Sequence, residues 1–405
     1  MTAAPGPAPL KRSLGLVGLT LYGLGTIIGA GIYVLAGEVV ATAGAAAPLS
    51  FLAAGVLAAL TALSYAELSA RHPEAAGAAA YVRQAFGSDT LARLTAAGVA
   101  VVALVAAASI ARGGVAYLAP YTGLPAPVVA GAIVVLFTAI ACLGVVESVF
   151  VAAVMSLVEV GGLVLVVAVG APGLDAAPQV ARAAVPADTA AWLALGGGAF
   201  LAFFAFAGFE NLAVMAEETR DVGRTLPRAI LLSILVATVL YVAVMVTALA
   251  NVPAATLAGA EAPLLRVFAA RGWQDAHLFS AVAVIATVNG VLIEILVLAR
   301  LIYGLARRGL LPAVLGAVHP GRRTPILATL IAGAAVLAMA TTLPFQALAR
   351  LSSLLLLLVF TAVNLSLWRL HRRAPDAAVP IRAPRWVPPL GAASCLALVA
   401  AEVLG

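Results

Sequence analysis

Charge is the scarcest property of this chain. Asp, Glu, Lys and Arg make up only 10% of its 405 residues, and Lys11 is its single lysine. A soluble domain carries about 25% charged residues, so a water-solvated globular fold is excluded. The formal net charge of +6 is nearly all arginine. Those arginines sit in short loops between apolar runs, which speaks for membrane topology and against a nucleic-acid partner. Cysteine is almost missing too. Cys142 and Cys395 both fall in apolar segments and offer neither a disulfide framework nor a metal spacing. His72, His277, His319 and His371 are scattered, so no metal site is expected. The chain has no phosphate-binding loop, which excludes an ATP-driven pump, and no nucleophile paired with a base. It is therefore not read as an enzyme, and no cofactor is implied. A sensor that binds without transporting normally needs a sizeable signalling domain, and the sequence offers none. Met1 to Ser13 is short and the apolar stretch after it is too long for an h-region, so no cleavable signal peptide is expected.

What remains is apolar. Hydrophobic residues make up 64% of the sequence, which predicts an all-α integral membrane protein of about eleven transmembrane helices. The spans fall at roughly 15–40, 46–70, 92–118, 127–146, 148–171, 192–218, 228–250, 277–308, 325–343, 347–370 and 387–404. Pro48, Pro120 to Pro127, Pro172, Pro227, Pro253, Pro312 to Pro325 and Pro344 punctuate them. The turn Leu143 to Glu147 is so short that the fourth and fifth helices should be antiparallel neighbours. With the N-terminus inside, the inner loops hold Lys11, Arg12, Arg71, Arg83, Arg220, Arg224, Arg307, Arg308, Arg323, Arg372 and Arg373, among others. The outer loops hold Arg182, Arg266 and Arg271, while Arg112, Arg300 and Arg350 lie near span ends. This asymmetry predicts a cytoplasmic N-terminus in a multi-pass protein of the cell membrane.

Two spans carry interruptions. Gly23-Leu24-Gly25-Thr26-Ile27-Ile28-Gly29-Ala30-Gly31-Ile32-Tyr33 sets four glycines inside the first. Unpaired backbone in hydrocarbon costs several kcal/mol per group, so a break survives only beside a cavity or a ligand. A helix restarting there aims its free N–H groups into that cavity, and Gly29, Ala30 and Gly31, flanked by Ile28 and Ile32, suit a carboxylate. The competing reading is close helix packing. Span 6 interrupts itself at Phe203 to Glu210, five spans later and in the opposite orientation. Interrupted helices at matching positions of two inverted halves mark a transporter's central site. The halves are then about 15–171 and 192–370, with 387–404 an accessory helix. Carbonyls of Phe204, Ala205, Phe206 and Ala207, next to Gly208, would meet an ammonium group, and Phe204 or Phe206 would close over the substrate as a gate.

Ile28 to Tyr33 is similar to the first-helix signature of the amino acid–polyamine–organocation (APC) superfamily. Three further blocks agree: Tyr65 to Pro73 running into Tyr81 to Gly87, Phe204 to Pro227, and Asn289 to Pro312. The chain most resembles the cationic-amino-acid-transporter-like branch. The resemblance implies a 5+5 inverted-repeat fold, LeuT-like, that transports amino acids. Many members carry a twelfth helix, and the family favours paired glycines and an aromatic where this chain reads Ala75 to Ala80. Some proton-coupled members place a lysine amine where sodium-coupled relatives bind sodium, and the matching residue here is Glu159.

A carboxylate mid-span costs about 2.5–3.5 kcal/mol on insertion scales, so Glu159 and Glu294 should face the bundle interior. In the resembling fold, helices 1, 5 and 8 meet beside the site, which would bring these two carboxyls together. Glu159 is therefore expected to couple transport to protons with Glu294 modulating it, while a sodium site at Glu159, or a Glu294–Arg300 pair, stays open. Glu67, Glu217 and Arg300 head charged clusters at span ends that would act as inner gates or simply be solvated. Glu210 is expected to brace the second break. Span 3 holds no carboxylate from Leu94 to Tyr117, and span 10 offers only Ser352, Ser353, Thr361 and Asn364. Small or hydrophobic neutral amino acids are thus the expected substrates, with cationic amino acids or polyamines the alternative. Protons or sodium, the lipid bilayer and at most a loose dimer complete the expected partners.

Overall fold

Proline and glycine punctuation sets where helices start and stop. In the computed structural model the described residues are 14–72, 77–143, 148–260, 262–273, 277–307, 311–319, 322, 324–374 and 379–404. Lys11, Arg12, the 144–147 turn, Arg308, Arg323 and the side chains of Ala30 and Glu217 lie outside the described residues. The first half holds α1 (Leu16–Ile27), α2 (Ala30–Tyr33), α3 (Leu35–Ala43), α4 (Ala47–Arg71), α5 (Gly77–Phe86), α6 (Asp89–Thr122), α7 (Ala126–Leu143) and α8 (Ser148–Gly170). Then come α9 (Ala177–Ala183), α10 (Thr189–Phe203), α11 (Val222–Asn251), α12 (Ala254–Leu257) and α13 (Pro263–Ala270). The chain finishes with α14 (His277–Arg307), α15 (Ile326–Thr342), α16 (Phe345–Arg373) and α17 (Val387–Leu404). No strand occurs among the described residues.

Eight helical stretches among the described residues are long and apolar enough to cross a membrane, and three apolar helices are shorter: Leu16–Ile27, Ile326–Thr342 and Val387–Val403. Two expected stops are overrun. α11 begins at Val222 and passes through Pro227, giving up the one backbone bond that residue 227 would donate to the carbonyl of Gly223. α6 likewise continues past Pro120 to Thr122. The stretch read as a loop after the second span holds α5, which buries Ala78, Tyr81, Val82 and Ala85. Large apolar side chains such as Leu136, Val164, Leu193, Leu235 and Leu396 point outward, as lipid contact requires.

The first span is not one helix. It is three pieces, α1, α2 and α3, with the chain leaving helical geometry at Ile28 (φ −77°, ψ 126°) and turning again at Val34. The sixth ends at Phe203, tightens into a 3₁₀ turn over Phe204–Phe206, turns at Ala207-Gly208 and resumes as 3₁₀ helix over Phe209–Glu218. The core gathers on these broken pieces: α1, α4, α8, α10, α11 and α16 share one buried apolar cluster, while α6, α7, α14 and α15 form a second beside it.

Gly208 has φ +117° and stands against the carbonyl of Thr26, while Gly31 backs onto Ala205, so neither position has space for a side chain. Gly208→Ala should therefore lower stability by about 1–3 kcal/mol, the usual cost of a strained non-glycine conformation, or more once the clash is added. Gly18→Ala, in open space on α1, should be neutral or slightly stabilising. Thermal melts of the purified variants check both; equal melting temperatures for the two would contradict this account of the second break.

Candidate functional site

The two breaks touch. Gly31 packs on the backbone of Ala205, and Gly208 packs on Thr26, so each interruption is the other's wall. Tyr241 of α11 lies across them, its hydroxyl 3.0 Å from the carbonyl of Ile27 and 2.9 Å from that of Ala205. It donates to one while staying within reach of the other. Phe206 stacks edge-on against Tyr241 at 5.1 Å, and Tyr241 against Phe51 at 5.8 Å.

At the first break the N–H of Ile28 still reaches Leu24 (2.7 Å), and Tyr33 donates back to Gly29 at 3.3 Å. The N–H groups of Gly29, Ala30 and Gly31 belong to the first turn of the restarted helix, which has no helical acceptor for them. Ile28 and Ile32 are buried. At the second break the expected row of four free carbonyls is shorter. Phe204 accepts from the N–H of Ala207 (3.1 Å), and Ala205 accepts from Tyr241. The 3₁₀ turn supplies the first of these bonds and a neighbouring helix the second, which leaves Phe206 and Ala207 as the better-placed carbonyls. Phe206 is fully buried, packed rather than open. Glu210 accepts from the N–H of Gly208 at 2.9 Å, so it braces the turn.

Tyr33 joins three helices behind the first break. Its hydroxyl donates to the carbonyl of Glu159 (2.8 Å), its own carbonyl accepts from Tyr117 (2.5 Å), and its ring lies 6.0 Å from Phe279. Glu159 of α8 is fully buried; Oε1 accepts from Asn289 Nδ2 at 2.8 Å, and Oε2 has no hydrogen-bond partner among the described residues. Gly25 lets α1 close onto Ser156 and Asn289, so helices α1, α8 and α14 do meet here.

Glu294 does not join Glu159. It accepts from Asn211 Nδ2 at 3.4 Å and neighbours Glu210, beneath the second break. Five helical residues separate Glu294 from Asn289, about 140° of rotation, which turns it to a different face of α14. Nor does it pair with Arg300, which is exposed on α14. Glu67, by contrast, is the centre of a buried knot. Its Oε1 accepts from Arg71 Nε (2.8 Å) and Nη2 (2.6 Å), His371 Nε2 lies 2.9 Å from both carboxylate oxygens, and the N–H of Ala383 donates to Oε2 at 2.8 Å. One carboxylate therefore ties α4 to α16 and to the segment before α17. Between this knot and the breaks lies an aromatic layer: Tyr65 with Phe209 (5.6 Å), Phe360 (5.7 Å) and Tyr81 (5.9 Å).

Sequence reasoning missed Tyr241, His371 and Ala383. Tyr241 is a lone tyrosine in an apolar run, and His371 meets Glu67 across 304 positions, so no local spacing announces either.

Residues 14–404 match the family model described as amino acid permease. The chain is 29% identical to the branched-chain amino acid permease of Bacillus subtilis, across 98% of this chain and 90% of that protein. It is 34% identical to an uncharacterized transporter of Mycobacterium tuberculosis, across 89% and 80%. It is 30% identical to the vacuolar cationic amino acid transporter 4 of Arabidopsis thaliana, across 93% and 66%. This helical, multi-pass membrane chain with two touching broken helices belongs to the amino acid permease family of the APC superfamily.

Proposed function

We propose that the chain is a secondary active permease that imports or exchanges small or hydrophobic neutral amino acids by alternating access, with protons as the coupling ion. The observation that carries this reading is the contact between the two breaks, Gly31 on Ala205 and Gly208 on Thr26. In this reading the N–H groups of one interrupted helix and the carbonyls of the other supply the two ends that a zwitterion needs. The substrate carboxylate then sits on Gly29, Ala30 and Gly31, and its ammonium on Phe206 and Ala207. Segments of about 15–171 and 192–370 act as inverted halves. The branched-chain specificity in one relative's name supports an apolar side chain, and the buried Ile28, Ile32 and Phe206 are in keeping with it.

Glu159 is the coupling residue in this reading. Its buried, half-satisfied carboxyl next to the first break is suited to gain and lose a proton as the site opens. Sodium is the alternative, because the unpartnered Oε2 is a free hard ligand beside Asn289. Glu294, held under the second break, modulates. The Glu67 knot and the aromatic layer close the inner side, with the N-terminus cytoplasmic and the protein a monomer or loose dimer in the cell membrane.

Proteoliposomes loaded with protein shown to be folded test this directly. Labelled leucine, alanine, lysine and a polyamine are offered under a proton gradient or a sodium gradient imposed separately. Accumulation of leucine or alanine with the proton gradient alone is expected. Accumulation of lysine or polyamine instead would move the substrate class, and no uptake or exchange of any solute would sink the permease reading for this site. In the same vesicles Glu159→Gln should abolish accumulation driven by the pH gradient while leaving solute exchange within about twofold of wild type, a change worth less than 0.5 kcal/mol. Unchanged pH dependence in that variant would remove Glu159 from coupling.

A further inference from the structure

One cation inside the bundle keeps a guanidinium nitrogen that has no hydrogen-bond partner among the described residues. Arg112 lies on α6, five residues before the Tyr117 that bonds Tyr33, and therefore at the depth of the broken helices. Its Nη1 is buried with no hydrogen-bond partner. The carboxyls at this depth bond other groups, Glu159 through Oε1 to Asn289, Glu210 to Gly208 and Glu294 to Asn211. Guanidinium groups inside membranes face the bundle interior and pair with an acceptor, so a buried, unpartnered Nη1 points to a ligand.

Helix geometry says what surrounds it. α6 and α16 pack antiparallel: Arg373 Nη1 donates to Ala85 (3.0 Å) and Arg369 lies over Phe86 (5.0 Å) just before α6 starts, while Gly98 faces Val359 further along. At about 100° per residue, Ser109 and Arg112 fall within roughly 40° of the face that Gly98 turns to α16. Ser352, seven residues from Val359, turns to the same seam from the other side, about one helical turn from the level of Ser109. Side chains lean toward the N-terminus of their helix, so in this antiparallel pair Arg112, Ser109 and Ser352 lean toward one another. Ser109 and Ser352 are both fully buried, and each hydroxyl is without a hydrogen-bond partner. A guanidinium N–H and two hydroxyls are all donors to an anion, and none of these three atoms has a hydrogen-bond partner among the described residues.

We propose that the seam between α6 and α16 binds a small anion, a halide or the side-chain carboxylate of an acidic amino acid, on Arg112, Ser109 and Ser352. The site is separate from the carboxylate position at Gly29 to Gly31, because Ile110 and Gly114 turn the opposite face of α6 to α14. Its occupation stiffens the packing of α6 on α16 and makes the protein's stability depend on which anion is present.

Melting curves of the purified protein at equal ionic strength test this, with sodium gluconate, sodium chloride, or gluconate plus L-glutamate. A filled site should raise the wild-type melting temperature by about 2–4 °C over gluconate alone. Arg112→Met and the double variant Ser109→Ala/Ser352→Ala should lose that rise, and Arg112→Met should melt no lower than wild type in gluconate, since it removes an unpaired cation. A rise with chloride assigns a halide, and a rise with glutamate alone assigns an acidic side chain. A wild type that melts identically in all three buffers overturns the proposal, as does an equal rise in Arg112→Met.

Discussion

Backbone that leaves a helix inside a membrane has no water to bond, so another part of the protein must satisfy it. In this chain one hydroxyl serves two broken helices. Tyr241 sits within 3.0 Å of the Ile27 carbonyl and 2.9 Å of the Ala205 carbonyl, and its ring is held between Phe51 and Phe206. The rest of the site depends on that bond. With α11 bridging the breaks, Gly31 and Gly208 press each interruption onto the other, and only glycine fits either place. Had the breaks been apart, each would need its own partners for the backbone groups it frees.

The carboxyl groups divide the labour by what satisfies them. Glu67 is saturated, with Arg71, His371 and the Ala383 N–H filling both oxygens, which suits a residue that fastens three segments. Glu210 is spent on the N–H of Gly208 and holds the second turn. Glu159 keeps one oxygen without a partner among the described residues although it is fully buried. That incomplete set of bonds distinguishes it from Glu67 and Glu210, and it is the feature on which the proposed coupling role rests.

Much of this was legible in the sequence. Glycines inside an apolar run, and a second interruption five spans later, locate both breaks, since their signal is local. The meeting of α1, α8 and α14 at Glu159 also follows from the family resemblance. Three things were not legible. The exit of the second break is 3₁₀ helix through Glu218, a difference of hydrogen-bond register that composition does not encode. Glu294 faces Asn211 and not Glu159, because a five-residue offset from Asn289 turns it away. Tyr241 and His371 act across the fold, and Arg112, read as a residue near a span end, has a buried guanidinium nitrogen.

The central claim is that both breaks form one binding site, and backbone hydrogen exchange reads it at the atoms concerned. Exchange at residues 27–33 and 204–211 is followed in purified protein with and without a saturating amino acid taken up by the vesicles. The account predicts that protection rises at both segments together, with the same dependence on substrate concentration. Protection that rises at one segment alone, or at neither while binding saturates, would contradict it.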